Sequence, residues 1–140
     1  MTGATHTGGC NCRQIRYEFT GEPQAVVACH CLNCQRQGGG AFSVNLLLTD
    51  EQFTLHGEPK IYVDGDTESS APVYRHFCGN CGSPIISTAA GVPGMSILKA
   101  GTLDERVGFA PQMQCWTDTA FSWAGLPGDL PSSPRNPELG

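Results

Sequence analysis

The residues of this chain with the clearest capacity for chemistry are its cysteines. The 140-residue sequence has eight of them, and seven fall in three tightly spaced clusters. Two thiolates three residues apart converge on one ion when the backbone turns tightly between them, and Gly79 and Gly82 permit such a turn. The spacing therefore predicts zinc coordination. The clusters are Cys10-x-Cys12, Cys29-x-Cys31-x-x-Cys34 and Cys78-x-x-Cys81.

The third cluster also has the spacing of a redox-active dithiol. A thioredoxin-like site needs its first cysteine at a helix N-terminus, which lowers the thiol pKa. No helix is predicted after Cys81, because Gly82, Ser83 and Pro84 follow it. The N-terminal segment lacks the features of a signal peptide, so we expect a cytoplasmic protein with reduced thiols. Zinc is therefore favoured over both a redox dithiol and a structural disulfide.

The clustered thiols divide into a set of four and a set of three. A closed structural zinc site uses four protein ligands, whereas a catalytic zinc keeps one position free. The most compact set is Cys29, Cys31 and Cys34, and the remaining four would connect the N-terminal segment to the middle of the chain. Spacing alone does not fix this partition, because His30 or His76 could complete the smaller site and make it structural too.

Composition narrows the class of protein. The net charge is −5, and the 8 Lys and Arg residues form no basic run, so we expect no nucleic-acid partner. No apolar stretch approaches the roughly 20 residues of a membrane span. The length predicts a single domain over residues 1–124, followed by a Pro-rich tail over residues 125–140. The sequence does not predict the oligomeric state.

Short apolar runs and frequent turn residues predict an all-β domain. With 18 Gly and 10 Pro, the chain is poorly suited to long helices, and no segment shows helical periodicity over ten residues. A flexible turn is expected over residues 37–40 and a polar loop over residues 64–70. Strands are predicted over residues 13–20, 41–48, 52–56, 60–63, 72–77, 85–88 and 95–99.

The cysteine motifs and their flanking residues carry a resemblance to a known family. The matching pattern is Gly9-Cys10-x-Cys12-x-x-Ile15-Arg16-Tyr17, then Ala28-Cys29-His30-Cys31-x-x-Cys34-x-x-x-x-Gly39-x-Ala41-Phe42, then Phe77-Cys78-x-x-Cys81-Gly82-x-Pro84. Over residues 8–124 the chain resembles the glutathione-dependent formaldehyde-activating enzymes, a family that also includes centromere protein V. The resemblance implies a β-tent fold of small antiparallel sheets.

The resemblance also implies two zinc ions per chain. It implies a structural zinc held by Cys10, Cys12, Cys78 and Cys81, and a catalytic zinc held by Cys29, Cys31 and Cys34. The implied activity joins glutathione to formaldehyde, giving S-hydroxymethylglutathione in a reversible carbon–sulfur lyase reaction. A zinc with three thiolates favours a soft fourth ligand, so a small thiol such as glutathione suits the open position. The alternative is a zinc-stabilised binding module without turnover.

Two histidines and one cysteine have alternative interpretations. His30 is the further predicted catalytic residue, as a partner of a reacting oxygen or of a zinc thiolate. A turn residue that faces solvent or is hydrogen-bonded locally is the simpler interpretation. His76 is expected to be structural. Cys115 is expected to be a core thiol, with a fourth, reversible zinc ligand as the alternative.

The remaining candidates for contact with a substrate are cationic and aromatic residues. An anionic thiol needs cationic anchors, and Arg16, Arg36 and Lys99 are available, although exposed, solvated charge is the ordinary state of each. Phe121 and Trp123 are expected to cover the core, with a substrate lid as the alternative.

Overall fold

The computed structural model describes residues 3–65, 71–106, 108–126 and 129–136. Within these residues the chain forms two β-sheets, one short α-helix and two 3₁₀ turns (Ala100–Thr102 and Thr117–Thr119), which confirms the predicted all-β class. No helix there has the length and apolarity needed to cross a bilayer. The elements are β1 (Thr5–Gly9), β2 (Arg16–Thr20), β3 (Ala25–Cys29), α1 (Leu32–Gly38), β4 (Ser43–Thr49), β5 (Phe53–His56), β6 (Lys60–Asp64), β7 (Val73–Phe77), β8 (Pro84–Ala89), β9 (Met95–Lys99), β10 (Met113–Cys115) and β11 (Ser132–Ser133).

The two sheets differ in size. The smaller has the strand order β1-β2-β5, and the larger has the order β11-β10-β3-β4-β9-β8-β7-β6. Most neighbouring strands are antiparallel, but β10 runs parallel to both β3 and β11. The parallel pairing of β10 with β3 places Cys115 beside Cys29. The larger sheet therefore brings a thiol from near the C-terminus next to the second cysteine cluster.

The main hydrophobic core packs side chains of the small sheet against one face of the large sheet. Tyr17 and Phe19 of β2 join Leu46 and Leu48 of β4 and Leu98 of β9 in one buried cluster. Because successive side chains of a strand point to opposite faces, the residues between these leucines point away from the core. The other face of the large sheet is therefore free to line a site.

The helix α1 was not predicted. It begins directly after Cys31, whose Sγ accepts a hydrogen bond from the Cys34 N–H at 3.2 Å, and it includes part of the turn expected over residues 37–40. Gly39 ends it in the left-handed region, with φ of 69°. With only seven residues, α1 is too short to show a helical period in the sequence.

The described part of the Pro-rich tail packs against the domain. Ser132 and Ser133 pair with Gln114 and Cys115, and the Trp116 indole N–H donates to Asn136 Oδ1 at 3.0 Å. The boundary predicted at residue 124 stays a prediction. Residues 66–70 of the predicted polar loop and residues 127–128 and 137–140 of the tail lie outside the described residues.

Candidate metal centres

The first cysteine set, which we call the quartet, comprises Cys10, Cys12, Cys78 and Cys81. Its four sulfur atoms lie within 4.8 Å of one another. Cys10 and Cys12 follow β1, and Cys78 and Cys81 lie in the connection between β7 and β8. Both pairs lie in tight turns, in which the Arg13 N–H donates to Cys10 O at 3.1 Å and the Gly82 N–H donates to Cys78 O at 2.8 Å.

The donors of the quartet fit a structural zinc ion. Four cysteine sulfurs are a common ligand set of closed tetrahedral zinc sites. Cys10 and Cys78 are buried in the main hydrophobic core. The Cys10 sulfur accepts the Ile15 N–H at 3.3 Å, and hydrogen bonding, first from the Ser83 side chain, lowers the pKa of Cys81 to about 5. Both interactions favour the thiolate form that a metal requires.

The second set, which we call the trio, comprises Cys29, Cys31 and Cys34. Cys29 ends β3, Cys31 caps α1 and Cys34 lies in its first turn, and the three sulfurs lie within 4.8 Å of one another. His30 fixes this segment through its backbone. Its N–H donates to Cys115 O at 3.1 Å, and its carbonyl accepts from Gln35 Nε2 at 2.8 Å and from Thr119 Oγ1 at 2.9 Å.

The trio lies on the wall of a cavity of about 520 Å³. The cavity lies against the face of the large sheet that points away from the main core, where alternate residues of β3, β4, β9, β8 and β7 line it. Cys115, Trp116 and Asn136 extend the wall near the C-terminus. The trio therefore has an open space beside it that is large enough for a small-molecule ligand.

Polar side chains also line this cavity. Lys99 Nζ donates to Asn45 Oδ1 at 2.9 Å, and Arg75 Nε donates to Asp64 Oδ2 at 2.8 Å. Asn33 of α1 donates to the same Asp64 oxygen at 3.2 Å, which connects the helix to the far strands of the sheet. Lys99 and Arg75 are both buried, so the cavity combines buried cations with sulfur ligands.

The trio and Lys99 perturb one another's protonation. Hydrogen bonds from Cys29 and then Cys31 lower the pKa of Cys34, and the positive charge of Lys99 acts in the same direction. The pKa of Cys29 is raised, first by its hydrogen bond with Cys115, and the pKa of Cys31 is raised, first by its hydrogen bond with Cys29. The thiolate form is therefore favoured at Cys34 and the thiol form at Cys29 and Cys31.

The donors of the trio also fit a zinc ion. Three thiols at this spacing supply three of four tetrahedral ligands, as in catalytic zinc sites. Neither His30 nor His76 belongs to either cysteine group. His76 lies in β7, with Nε2 3.4 Å from Thr88 Oγ1, and burial lowers its pKa. Within the described residues, the second set therefore holds three protein ligands.

His30 and Cys115 are both buried. The alternative of a turn residue that faces solvent or is hydrogen-bonded locally is wrong for His30, which is 1% exposed and has Nε2 2.9 Å from Oε1 of the distant Gln114. The ring does not line the cavity, whereas Cys115 lines it beside Cys29 while remaining outside the sulfur group of the trio.

The candidate anchors separate into one buried, one half-buried and one exposed cation. Lys99 lines the cavity, so the expected solvated charge is wrong for this residue. Arg16 lies on the small sheet and donates to Asp104 Oδ1 at 3.1 Å, and Arg36 is exposed on α1. The expectation that Phe121 and Trp123 cover the core is also wrong, because they are 47% and 72% exposed and stack on each other.

Sequence reasoning missed the polar residues of the cavity other than Lys99. Asn45, Arg75 and Ser87 line it, and Asp64 holds Arg75 in place. A polar residue within an otherwise apolar strand, such as Asn45 in AFSVNLLL, is the signal that could have found them.

Two comparisons relate this chain to known proteins. A crystal structure of a Rhodobacter sphaeroides protein superposes with a TM-score of 0.56 over 90% of this chain and 98% of that chain. At 16% sequence identity, this similarity shows a shared fold alone. A sequence model of the family described as glutathione-dependent formaldehyde-activating enzyme matches residues 5–119. That match includes both cysteine sets, and the chain therefore belongs to the family of glutathione-dependent formaldehyde-activating enzymes.

Proposed function

We propose that this chain is a zinc-dependent carbon–sulfur lyase-type enzyme that makes and cleaves an adduct of a small thiol and an aldehyde, such as S-hydroxymethylglutathione. The observation that carries the proposal is the position of the trio on the wall of a 520 Å³ cavity, while the quartet has half of its thiols buried in the main core. Membership of the family supports glutathione and formaldehyde as the substrates.

The two cysteine sets would hold two zinc ions with different roles. The quartet would hold a structural ion, and Cys29, Cys31 and Cys34 would hold the ion that takes part in the reaction. An ion with three thiolate ligands would supply an open position at which a substrate thiol loses its proton near neutral pH. Addition of that thiol to an aldehyde forms one carbon–sulfur bond and leaves the thiol proton on the carbonyl oxygen, and cleavage reverses both changes.

The chain's own residues prepare the cavity for this chemistry. The buried positive charge of Lys99 stabilises thiolate at the trio. Asn45 fixes the Lys99 ammonium through the 2.9 Å hydrogen bond. We assign His30 a positioning role, because its backbone orients the segment between Cys29 and Cys31 while its side chain is held by Gln114.

Exchange spectroscopy tests the proposal directly. We expect the zinc-loaded protein to accelerate the interconversion of ¹³C-formaldehyde, glutathione and their adduct above the uncatalysed rate. Cys31→Ser should abolish the acceleration while the fold is retained. Cys115→Ala is the matched control, because this thiol lines the same cavity but lies outside the trio, and it should retain the acceleration.

Specific results would also contradict the proposed function. A fully zinc-loaded protein that accelerates exchange for no tested thiol or aldehyde would be a zinc-stabilised binding module rather than an enzyme. Retained acceleration in Cys31→Ser would show that the trio is not the reactive site, and equal loss in Cys115→Ala would show that Cys115 belongs to the reactive site as well.

A further inference from the structure

We propose that the cavity also binds a carboxylate of the thiol substrate, at the end formed by Ser87, Arg75 and Lys99, which we call the far end. The inference rests on the proposed function, since it takes the ligand to be a small thiol held at the trio. It adds a second point of recognition that lies on the sheet, outside the cysteine motifs.

The strand register places the three side chains of the far end close together. Ser87 pairs with Arg75 across β8 and β7, and with Ile97 across β8 and β9. Side chains directly opposite each other on one face have Cβ atoms about 5 Å apart, and diagonal neighbours about 7 Å. Lys99 is two residues beyond Ile97 on the same face, and all of these residues line the cavity. A carboxylate fits between side chains at this spacing.

The Ser87 hydroxyl lacks a hydrogen bond. Ser87 is 3% exposed, and its Oγ has no partner within the residues that the structure describes. A buried hydroxyl without a partner is costly and rare in native proteins. A ligand oxygen in the cavity would supply the missing hydrogen bond.

The charges of the far end favour an anion. The Arg75 guanidinium is paired with Asp64 through Nε, and within the described residues its terminal nitrogens make no hydrogen bond. The Lys99 ammonium is hydrogen-bonded to the neutral amide of Asn45. A ligand carboxylate would accept hydrogen bonds from the Arg75 terminal nitrogens and from the Lys99 ammonium.

The trio and the far end are connected closely enough for one small ligand. Cys29 and Arg75 lie on strands β3 and β7, which are separated by three other strands in the sheet. The helix that carries Cys34 returns toward β7, however, because Asn33 and Arg75 share the same Asp64 oxygen at 3.2 and 2.8 Å. The ligand class is therefore a small thiol that also carries a carboxylate.

Calorimetric titration of the zinc-loaded protein with matched thiols tests this inference. The probes are glutathione, glutathione esterified at the glycyl carboxylate, glutathione amidated at the γ-glutamyl α-carboxylate, and N-acetylcysteamine, which has no carboxylate. Ser87→Ala should weaken glutathione binding about tenfold and leave N-acetylcysteamine binding unchanged, because only a carboxylate uses the hydroxyl. The analogue in which the far-end carboxylate is blocked should bind wild type and Ser87→Ala with the same weak affinity. That analogue identifies which carboxylate of glutathione occupies the far end.

Ser96→Ala is the matched control for a merely structural effect. Ser96 is also buried, lies on β9 beside the cavity-lining Ile97, and has its Oγ 3.3 Å from Asp50 Oδ1. Its removal should lower the Tm and leave glutathione affinity unchanged. Ser87→Ala should leave the Tm unchanged or raise it, because it deletes a hydroxyl without a partner.

The outcomes separate this inference from the proposed function. If N-acetylcysteamine binds, and glutathione and both blocked analogues bind wild type and Ser87→Ala with equal affinity, the carboxylate site is overturned and the thiol site stands. If no thiol binds the zinc-loaded wild type, the proposed function fails and the inference fails with it.

Discussion

The quartet and the trio use the same ligand atom but connect different parts of the chain. Cys12 and Cys78 are 66 positions apart in sequence, and their sulfurs are 3.7 Å apart in the structure. The trio lies within one short stretch, from Cys29 to Cys34. A metal at the quartet therefore closes a long loop and restricts the unfolded chain, whereas a metal at the trio orders only a local segment.

The surroundings of the quartet and the trio also differ. Cys10 and Cys78 belong to the main core, together with Tyr17, Phe19 and other buried side chains. Cys31 belongs to a smaller cluster beside the cavity, with Val27, Cys115 and Trp116. Under the proposed function, the sequence separation of the ligands and the size of the adjoining cavity distinguish the structural ion from the accessible one.

The largest expected effect is the loss of a quartet ligand. Cys78→Ser should remove cooperative unfolding altogether, because structural zinc binding contributes about 10 kcal/mol or more to folding in small zinc domains. Circular dichroism melting and zinc content measure this. Cys31→Ser is the control from the trio, and it should keep a cooperative transition while losing one equivalent of zinc. Equal destabilisation by the two substitutions would contradict the difference between the sites.

The second prediction concerns the order of metal loss. A chelator should remove the ion of the trio first, because that site has one protein ligand fewer, and the ion of the quartet later, together with unfolding. Zinc release followed with a colorimetric indicator, alongside circular dichroism, should show one equivalent leaving a folded protein. Simultaneous release of both equivalents with loss of structure would show that the two sites are not independent.

Strands and individual cysteine clusters were predictable from local pattern. The segments 13–20 and 41–48 predict strands that the structure contains as β2 and β4, with later starts. The third cluster could be identified because C-x-x-C spacing and adjacent glycines act within a few residues, but spacing alone did not fix which clusters meet in one site. The strand β11 escaped prediction because its pairing with β10 depends on chain contacts rather than on its own composition.

The cavity was less predictable than the cysteines that adjoin it. The burial of Lys99 depends on Asn45 of another strand, and the burial of Arg75 depends on Asp64. Because the partner of each cation lies on another strand, the sequence alone does not reveal it. A lysine or arginine in a short strand is therefore predicted to be solvated. Phe121 and Trp123 show the opposite error, because aromatic type predicts core but their segment leaves them exposed.

The third prediction compares a cation in the cavity with a cation outside it. Lys99→Met should lower activity by about tenfold to a hundredfold, because it removes a buried positive charge beside the trio. Arg16→Met is the matched control, since Arg16 is paired with Asp104 on the small sheet and should leave activity unchanged. Steady-state exchange rates for both variants, with zinc content confirmed, provide the measurement. Equal activities in the two variants would show that the cavity charge has no part in the reaction.

The smallest expected effect is a loss of folding stability at alkaline pH, caused by Tyr17, which lies in the main core with Cys10 and Cys78. Burial raises the pKa of Tyr17 to about 12, and its hydroxyl is 2.8 Å from Thr102 Oγ1. Because the folded state favours the neutral phenol, this contribution to stability is fully present below the usual pKa of about 10 and is lost as pH rises toward 12.

Tyr17→Phe should cost about 1 kcal/mol at neutral pH through the lost hydrogen bond and should reduce the decline in stability between pH 10 and 12. Urea unfolding of both proteins at each pH measures the difference, and parallel curves for the two would show that Tyr17 ionisation does not limit stability. Zinc content at the trio should be the same in both proteins, because Tyr17 lies in the main core with the quartet and not in the cavity.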